Sequence, residues 1–293
     1  MWTTVTAFLG MVRFSHTVFA LPFALLGALL AWQDVKFRLE ALIGILLCMV
    51  FARTAAMGFN RLADRRIDAR NPRTANRHLP SGQLRLRSVW ALTIASGLAF
   101  VASTTLFLLI DPPNMWPTIL AVPLLLFICA YSFTKRFTAL AHFWLGASLM
   151  MAPVAAWIAI RGFEAMATPL VLGSAVLFWV SGFDILYACQ DVDFDKKEGL
   201  HSVPAWLGIR AALRFALACH LLMLGTLTAL FFVSPHLRTV YLIGLAAIAA
   251  LVAYQHWLVR PDDLTRVNRA FFHVNGVISV GLLLIVVVQV LLK

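Results

Sequence analysis

The sequence predicts an all-α polytopic membrane protein, one domain over residues 1–293, built as a bundle of about nine transmembrane helices. Three observations predict it. The chain is 61% hydrophobic and only 13% charged, with a mean hydropathy of +0.87, whereas roughly a quarter of residues are charged in soluble domains. Apolar runs of the ~20 residues that a helix needs to cross a bilayer recur from end to end. Basic residues gather in alternate connections between these runs, as they do in membrane proteins.

Taken in order, the spans fall at roughly 15–33, 41–62, 89–110, 115–133, 139–160, 168–188, 211–233, 239–257 and 271–292. The first apolar run, Thr17–Trp32, lacks a convincing cleavage site and reads as a span, not a secretory signal. Charges from Asp34 to Glu40 separate it from the second. Asp111-Pro112-Pro113-Asn114 divides the third span from the fourth, and Arg161-Gly162-Phe163-Glu164 the fifth from the sixth. Ser234-Pro235-His236 and Arg260-Pro261-Asp262-Asp263 punctuate the last three.

Charge fixes the orientation. Arg61, Arg65, Arg66, Arg70, Arg73, Arg77, Arg85 and Arg87 lie between spans two and three. Lys135 and Arg136 follow span four, Lys196, Lys197 and Arg210 lie between six and seven, and Arg260, Arg266 and Arg269 between eight and nine. The opposite connections carry only Lys36, Arg38, Arg161 and Arg238. Cytoplasmic loops hold the excess of Lys and Arg, so the N-terminus is expected inside and the C-terminus outside. The net charge of +11 then reflects topology and headgroup contact in the lipid bilayer; no nucleic-acid partner is expected. Cys48, Cys129, Cys189 and Cys219 are far apart and sit in or beside apolar runs. They read as small apolar residues, with neither a disulfide nor a zinc site.

Against this background the acidic residues are unevenly placed. Of 13 in the chain, Asp64, Asp68, Asp184, Asp191, Asp193, Asp195 and Glu198 fall in or beside two stretches. Carboxylates are costly near a bilayer, so such clustering points to function. Asn60, Asp64 and Asp68 are spaced i, i+4, i+8, one stripe on a helix that extends the cytoplasmic end of span two. Asp184, Tyr187, Asp191 and Asp195 are spaced i, i+3, i+7, i+11, a second stripe expected at the cytoplasmic end of span six. Asp193 falls off it. Both stripes offer oxygen and lack Cys and His, which suits Mg²⁺ and argues against zinc or copper.

Arginine grips phosphate in a bidentate way and lysine adds a point charge. A Mg²⁺-bridged diphosphate would find Arg65, Arg73, Arg77, Lys135 and Arg136 near the stripes. Arg53 lies within the second span, seven residues before Asn60 and on its face, where a buried arginine usually faces a polar cavity. The alternative for each stripe is a solvated helix end whose carboxylates pair with neighbouring arginines, and for most of the arginines a purely topological role.

The ordered set of motifs resembles the UbiA superfamily of intramembrane aromatic prenyltransferases over nearly the whole chain. The resemblance rests on His16-Thr17-Val18-Phe19-Ala20-Leu21-Pro22-Phe23-Ala24 in the first span, and on Arg53 to Asn60 with the Asn-x-x-x-Asp-x-x-x-Asp run that follows. Further along, Arg77-His78-Leu79-Pro80-Ser81-Gly82, Tyr131-Ser132-Phe133-Thr134-Lys135-Arg136, and Asp184 to Ser202 carry it. The loop that begins at Arg77 usually reads Arg-Pro-Leu-Pro-Ser-Gly or Arg-x-Ile-Pro-Ser-Gly in the family it resembles. Within the superfamily the chain is most similar to the 4-hydroxybenzoate polyprenyltransferase-like branch. Asn71-Pro72-Arg73-Thr74 and the run Tyr187 to Asp195 look like a bacterial subgroup often linked to menaquinone made by the futalosine route.

The resemblance implies transfer of a polyprenyl group from a polyprenyl diphosphate to an aromatic acid, 4-hydroxybenzoate-like or naphthoate-type, in ubiquinone or menaquinone biosynthesis. It implies Mg²⁺ held on the diphosphate by Asn60, Asp64 and Asp68, with Asp191 and Asp195 as the second part. Lys135 and Arg136 would contact diphosphate or the acceptor carboxylate, and Arg53 and Tyr131 would line the cavity. Asp184 and Tyr187 are further candidates on the second stripe. The setting implied is a bacterial cytoplasmic (inner) membrane, with the active site facing the cytoplasm. Other readings stay open at this point. A CDP-alcohol phosphotransferase would need an Asp-Gly-x-x-Ala-Arg run that the sequence lacks. A cation-binding transporter would favour carboxylates near mid-membrane.

Overall fold

The computed structural model describes residues 7, 8, 10, 11 and 19–292. Among these it contains helices and turns with no β-strand beyond an isolated bridge between Arg260 and Asp263. The helices are α1 (Leu21–Ala31), α2 (Leu39–Arg70), α3 (Leu86–Thr104, continued by a 3-10 turn Thr105–Leu109), α4 (Trp116–Thr134), α5 (Ala141–Arg161) and α6 (Ala167–Ala188). A 3-10 turn, Cys189–Asp191, leads to the short α7 (Val192–Lys197) and α8 (Val203–Leu207). Then come α9 (Ile209–Val233), α10 (Thr239–Leu258), a short turn Val267–Arg269, a π turn Ala270–Val274 and α11 (Asn275–Leu291).

Among the described residues eight helices are long and apolar enough to cross a membrane, and α1 is a shorter apolar helix at the position of the first expected span. The nine expected spans therefore match nine apolar helices. The start of the first, residues 15–18, and most of the His16–Ala24 motif lie outside the described residues. With this hydropathy and helix content the chain is an integral membrane protein. All four cysteines are free thiols.

Contacts divide the chain into two compact units. The first is built on Arg38–Phe133 and includes α2 to α4. At the C-terminal end of α2, Met11, Leu62, Leu84 and Val89 form a small core, with Leu79 and Met57 packed on it. The loop after α2 is thus folded back on its own helix. The reason α2 stops is local. Pro72 pushes the preceding residue out of the α region, and Asn71 is extended at φ −86°, ψ 117°. The helix therefore runs eight residues beyond the span expected to end at 62, carrying the first stripe with it.

The second unit comprises α1 and everything from Thr134 onward. Its centre is α6, packed against α5 and α9, with α1 on α5 and α11 on α10 and α1. In lipid there is little hydrophobic drive between helices, so close approach and polar contacts hold a bundle together. Both are present. Gly27 of α1 meets the backbone of Pro153 in α5, where an added Cβ would lie 2.6 Å from its carbonyl oxygen. Gly182 of α6 leaves room for His220 of α9, 2.5 Å from where a Cβ would be. Trp179 Nε1 donates to Asn275 Oδ1 at 3.0 Å and Gln255 Nε2 donates to the same oxygen at 3.2 Å, joining α6, α10 and α11. Asp34 pairs with Arg161 and with His236 Nε2 (2.9 Å), fastening three connections of this unit to one another.

Candidate functional site in the two acidic stripes

The first stripe forms as the spacing predicts. Asn60, Asp64 and Asp68 share one face of α2, and Asn60 Nδ2 donates to Asp64 Oδ2 at 2.9 Å. The same amide lies 3.4 Å from Ser132 Oγ on α4. Asn60 and Asp64 are half-buried, so their oxygens are fixed yet approachable.

Asp68 is different. It is buried, and Arg77 Nη1 reaches both its oxygens, at 2.7 and 2.8 Å. Arg61 Nη1 stands 3.9 Å from Asp68 Oδ2 and donates to Asn60 Oδ1 at 3.4 Å. The loop is braced around this contact. Thr74 Oγ1 donates to the Asp68 carbonyl at 3.0 Å, and Asn71 Oδ1 accepts from the Arg73 N–H at 2.9 Å. A cleft of about 330 Å³ opens beside it, lined by Arg61, Arg73, Asn76, Arg77 and His78. Three guanidinium groups on one small cleft make an anion-attracting surface. Arg53 sits mid-helix and half-buried on α2, and Tyr131 is half-buried on α4.

The second stripe departs from the expected continuous helix. The α-helix ends at Ala188, Cys189–Asp191 form a 3-10 turn, and Asp191 sits at φ −109°, ψ 10° before α7 begins. A 3-10 turn advances about 120° per residue against about 100° in an α-helix, so the i, i+7, i+11 register does not carry through. Asp191 is buried at the break. Tyr187, half-buried, packs its ring 4.3 Å from Phe271 and 6.4 Å from Phe272, beside Phe183 and Phe19.

Asp195 is fully buried. Lys135 Nζ lies 2.8 Å from its Oδ1, and Ser202 Oγ donates to its Oδ2 at 2.8 Å. Ser202 also caps α8 by accepting from the Ala205 N–H, and the His201 N–H donates to the Lys135 carbonyl at 2.8 Å. The loop after α4 is thereby tied to the segment after α7. Gly199 and Gly208, at φ 66° and 79°, permit the turns that bring α7, α8 and α9 round.

Asp184 is held by His142 of α5, Nδ1 to Oδ2 at 2.7 Å. The Val203 N–H donates to His142 Nε2 at 3.3 Å. That ring nitrogen is therefore the acceptor, which puts the proton on Nδ1, facing Asp184. Asp193 is exposed, and so is Arg136.

Sequence reasoning did not single out His142, gave Ser202 no role and read Arg61 as a topological charge. A histidine in an apolar run opposite an intramembrane aspartate is the signal that would have found the first. A serine seven residues after Asp195 gives no such signal.

The geometry can be set beside known proteins. Residues 20–277 match the UbiA prenyltransferase family. The chain is 36% identical over 248 residues to a 4-hydroxybenzoate octaprenyltransferase of Nitrosomonas europaea, covering 83% of this chain and 81% of that one. It is 30% identical over 278 residues to the enzyme of the same name from Paraburkholderia phymatum, covering 94% and 93%. Among solved structures, the apo structure of a UbiA homolog from Aeropyrum pernix K1 superposes with a TM-score of 0.79 at 29% identity, covering 94% of this chain and 97% of that one. A UbiA homolog from Archaeoglobus fulgidus, solved bound to DMAPP and Mg²⁺, shares the fold at a TM-score of 0.73 and 18% identity, covering 98% and 99%. The match spans most of the chain, and it decides against the phosphotransferase and transporter readings. The chain belongs to the UbiA prenyltransferase family.

Proposed function

We propose that this protein transfers a polyprenyl group from a polyprenyl diphosphate to the ring of 4-hydroxybenzoate or a similar aromatic acid, with Mg²⁺ on the diphosphate, in a bacterial cytoplasmic membrane and with its chemistry on the cytoplasmic side. The observation that carries this reading is the oxygen-only character of both stripes, Asn60/Asp64/Asp68 and Asp191/Asp195, in a chain of this family. The named relatives support the acceptor class, and the excess of basic residues in alternate loops supports the orientation.

The donor set fits Mg²⁺. Among the described residues no three His, Cys, Asp or Glu side chains come together as a protein-only cage. Mg²⁺ commonly takes one or two carboxylates and completes its shell with water and substrate phosphate oxygens. Asp64 with Asn60, and Asp191, are the ligands this reading places first, with Asp68 and Asp195 completing the set. Bound there, the metal neutralises charge on the departing diphosphate.

The side chains divide the remaining work. Arg77 and Lys135 each rest on a carboxylate, Asp68 and Asp195, and a diphosphate offers them the same charge. Arg61 and Arg73 add to the positive field of the same cleft. The donor's allylic C–O bond breaks, its electron pair leaving with the diphosphate. The electron-rich ring then forms the new C–C bond, and the ring proton is lost to a base. Water would trap the allylic cation as an alcohol and has to be kept away. The rings of Tyr187, Phe271, Phe272 and Phe183 offer a dry aromatic wall whose faces attract a cation.

The test is transfer of radiolabelled prenyl diphosphate by the purified protein, with and without Mg²⁺. Product with 4-hydroxybenzoate, lost with chelator, supports the reading. Product only with a naphthoate-type acid would move the acceptor, and no product with either would reject the proposal.

A further inference from the structure

A second cavity lies within the second unit, beside α7, the short helix that also carries Asp195. It is an open groove of about 1070 Å³, bounded by α7, the first turns of α9, the end of α10 and the loop after it. Lys196, Arg210 and Arg214 stand at its rim, all exposed, and none has a salt-bridge partner within 4.0 Å among the described residues. Leu213, Leu217 and Val259 line it as well. Arg210 and Arg214 are one turn apart on α9, as are Leu213 and Leu217, so cationic and apolar side chains interleave on one face of the helix over about 10 Å. His256 closes the inner end, its Nε2 2.8 Å from Nδ1 of the fully buried His220.

Two aromatic residues give the depth of this groove in a membrane. Trp206, just before the Leu207–Gly208 edge, is 73% exposed, and Trp257, beside His256, is 57% exposed. Exposed tryptophans of membrane helices sit at the headgroup level. The groove therefore brings cations and apolar side chains together at the level where phosphates meet the first acyl carbons. Asp193 and Asp262 also border it, so the rim carries three positive charges against two. Arg260, Arg266 and Arg269 in the adjoining loop raise the local excess. Polyvalent anions with an alkyl tail fit that balance, and free metal cations do not.

We propose that this groove binds an anionic phospholipid of the cytoplasmic leaflet, its phosphate on Arg210, Arg214 and Lys196 and one acyl chain along Leu213 and Leu217. The proposal does not depend on the enzymatic reading. The site uses none of the residues assigned to the reaction.

Purified full-length protein, delipidated in detergent, would be titrated with dioleoylphosphatidylglycerol and with dioleoylphosphatidylcholine and the bound lipid read by native mass spectrometry. Phosphatidylglycerol is expected to bind in preference. A cation near an anionic headgroup is worth roughly fivefold in affinity, so Arg210→Gln with Arg214→Gln should weaken that binding roughly 25-fold. Phosphatidylcholine binding should be unchanged. Both arginines are exposed, and an unaltered melting temperature of the double variant would confirm that folding is intact. A second variant, Leu217→Asp, should weaken both lipids. Equal affinity for the two lipids in the natural protein overturns the proposal, as does an unchanged affinity in the arginine variant. Occupancy by inorganic phosphate with no lipid bound would make the groove a small-anion site. Displacement by farnesyl diphosphate at lower concentration than phosphatidylglycerol itself would make it a prenyl diphosphate site. Either result also overturns it.

Discussion

The two acidic stripes share a composition and differ in how they are held. The first lies on an uninterrupted helix, with Asn60 and Asp64 half-buried and the Asn60 amide donating to Asp64. The second is broken by a 3-10 turn, and two of its carboxylates are already committed inside the bundle, Asp184 to His142 and Asp195 to Lys135 and Ser202. Asp68 of the first stripe behaves like these two, caught by Arg77. The difference teaches that a carboxylate at the end of a membrane span can stand open to a ligand or rest in a buried pair, and that Asp68 and Asp195 would join the metal set only by giving up Arg77 and Lys135. Removing a charge that waits for a ligand costs activity alone. Removing one partner of a buried pair leaves the other uncompensated and costs stability.

The contrast can be broken at its strongest point. Asp64→Ala is expected to lower prenyl transfer by ~10³-fold or more, as loss of a key electrostatic group does, while the melting temperature stays within a degree or two of the natural protein's. A large fall in melting temperature would erase the distinction. Arg77→Ala leaves buried Asp68 with Arg61 alone at 3.9 Å. It should destabilise by about 3 kcal/mol, measured by thermal unfolding in detergent. His142→Ala orphans Asp184 and the Val203 N–H, and should cost about 2 kcal/mol in the same measurement. If His142→Ala instead left stability intact and abolished turnover, Asp184 would move to the reacting side of the comparison.

Lys135→Ala sharpens a finer point, because Lys135 is proposed both to rest on Asp195 and to meet the donor. A roughly tenfold rise in KM for the prenyl diphosphate, about 1.4 kcal/mol, with kcat nearly kept, supports substrate capture. Unchanged KM would leave the lysine a fastening only. Asp193→Asn closes the series. Asp193 is exposed and off both stripes, so stability should change by less than ~0.5 kcal/mol and turnover by less than a factor of two.

Much of this was legible in the sequence. Span positions follow from apolar run length, and Asn71-Pro72 marks where α2 must stop, which places the whole first stripe on one helix. The second stripe was legible as a cluster and not as a geometry. Nothing in the residues from Tyr187 to Asp195 announces that the helix tightens at Cys189–Asp191, because a 3-10 turn has no strong residue preference of its own. The partners were hidden for a different reason. His142 is 42 residues from Asp184 and Arg77 is nine from Asp68, so pairing depends on how helices and loops fold back, which periodicity does not encode. The groove beside α9 was similarly invisible, since Arg210 read as an ordinary topological charge and Arg214 lay unremarked within the seventh expected span.

The π turn at Ala270–Val274 has a consequence for chain length. Such a turn accommodates one residue more than an α-helix would in the same rise, and its carbonyls need other donors. Gln255 Nε2 serves the Ala270 carbonyl at 3.2 Å and Asn275 Nδ2 the Phe271 carbonyl at 3.0 Å. The last span thus carries a surplus residue at a defined place, held open by two amides. Deleting one residue there lets the turn close into a regular helix with the faces on either side still in phase. The same deletion within α11 would rotate everything beyond it by ~100° and turn Leu282, Val286 and Gln289, now buried, out toward lipid.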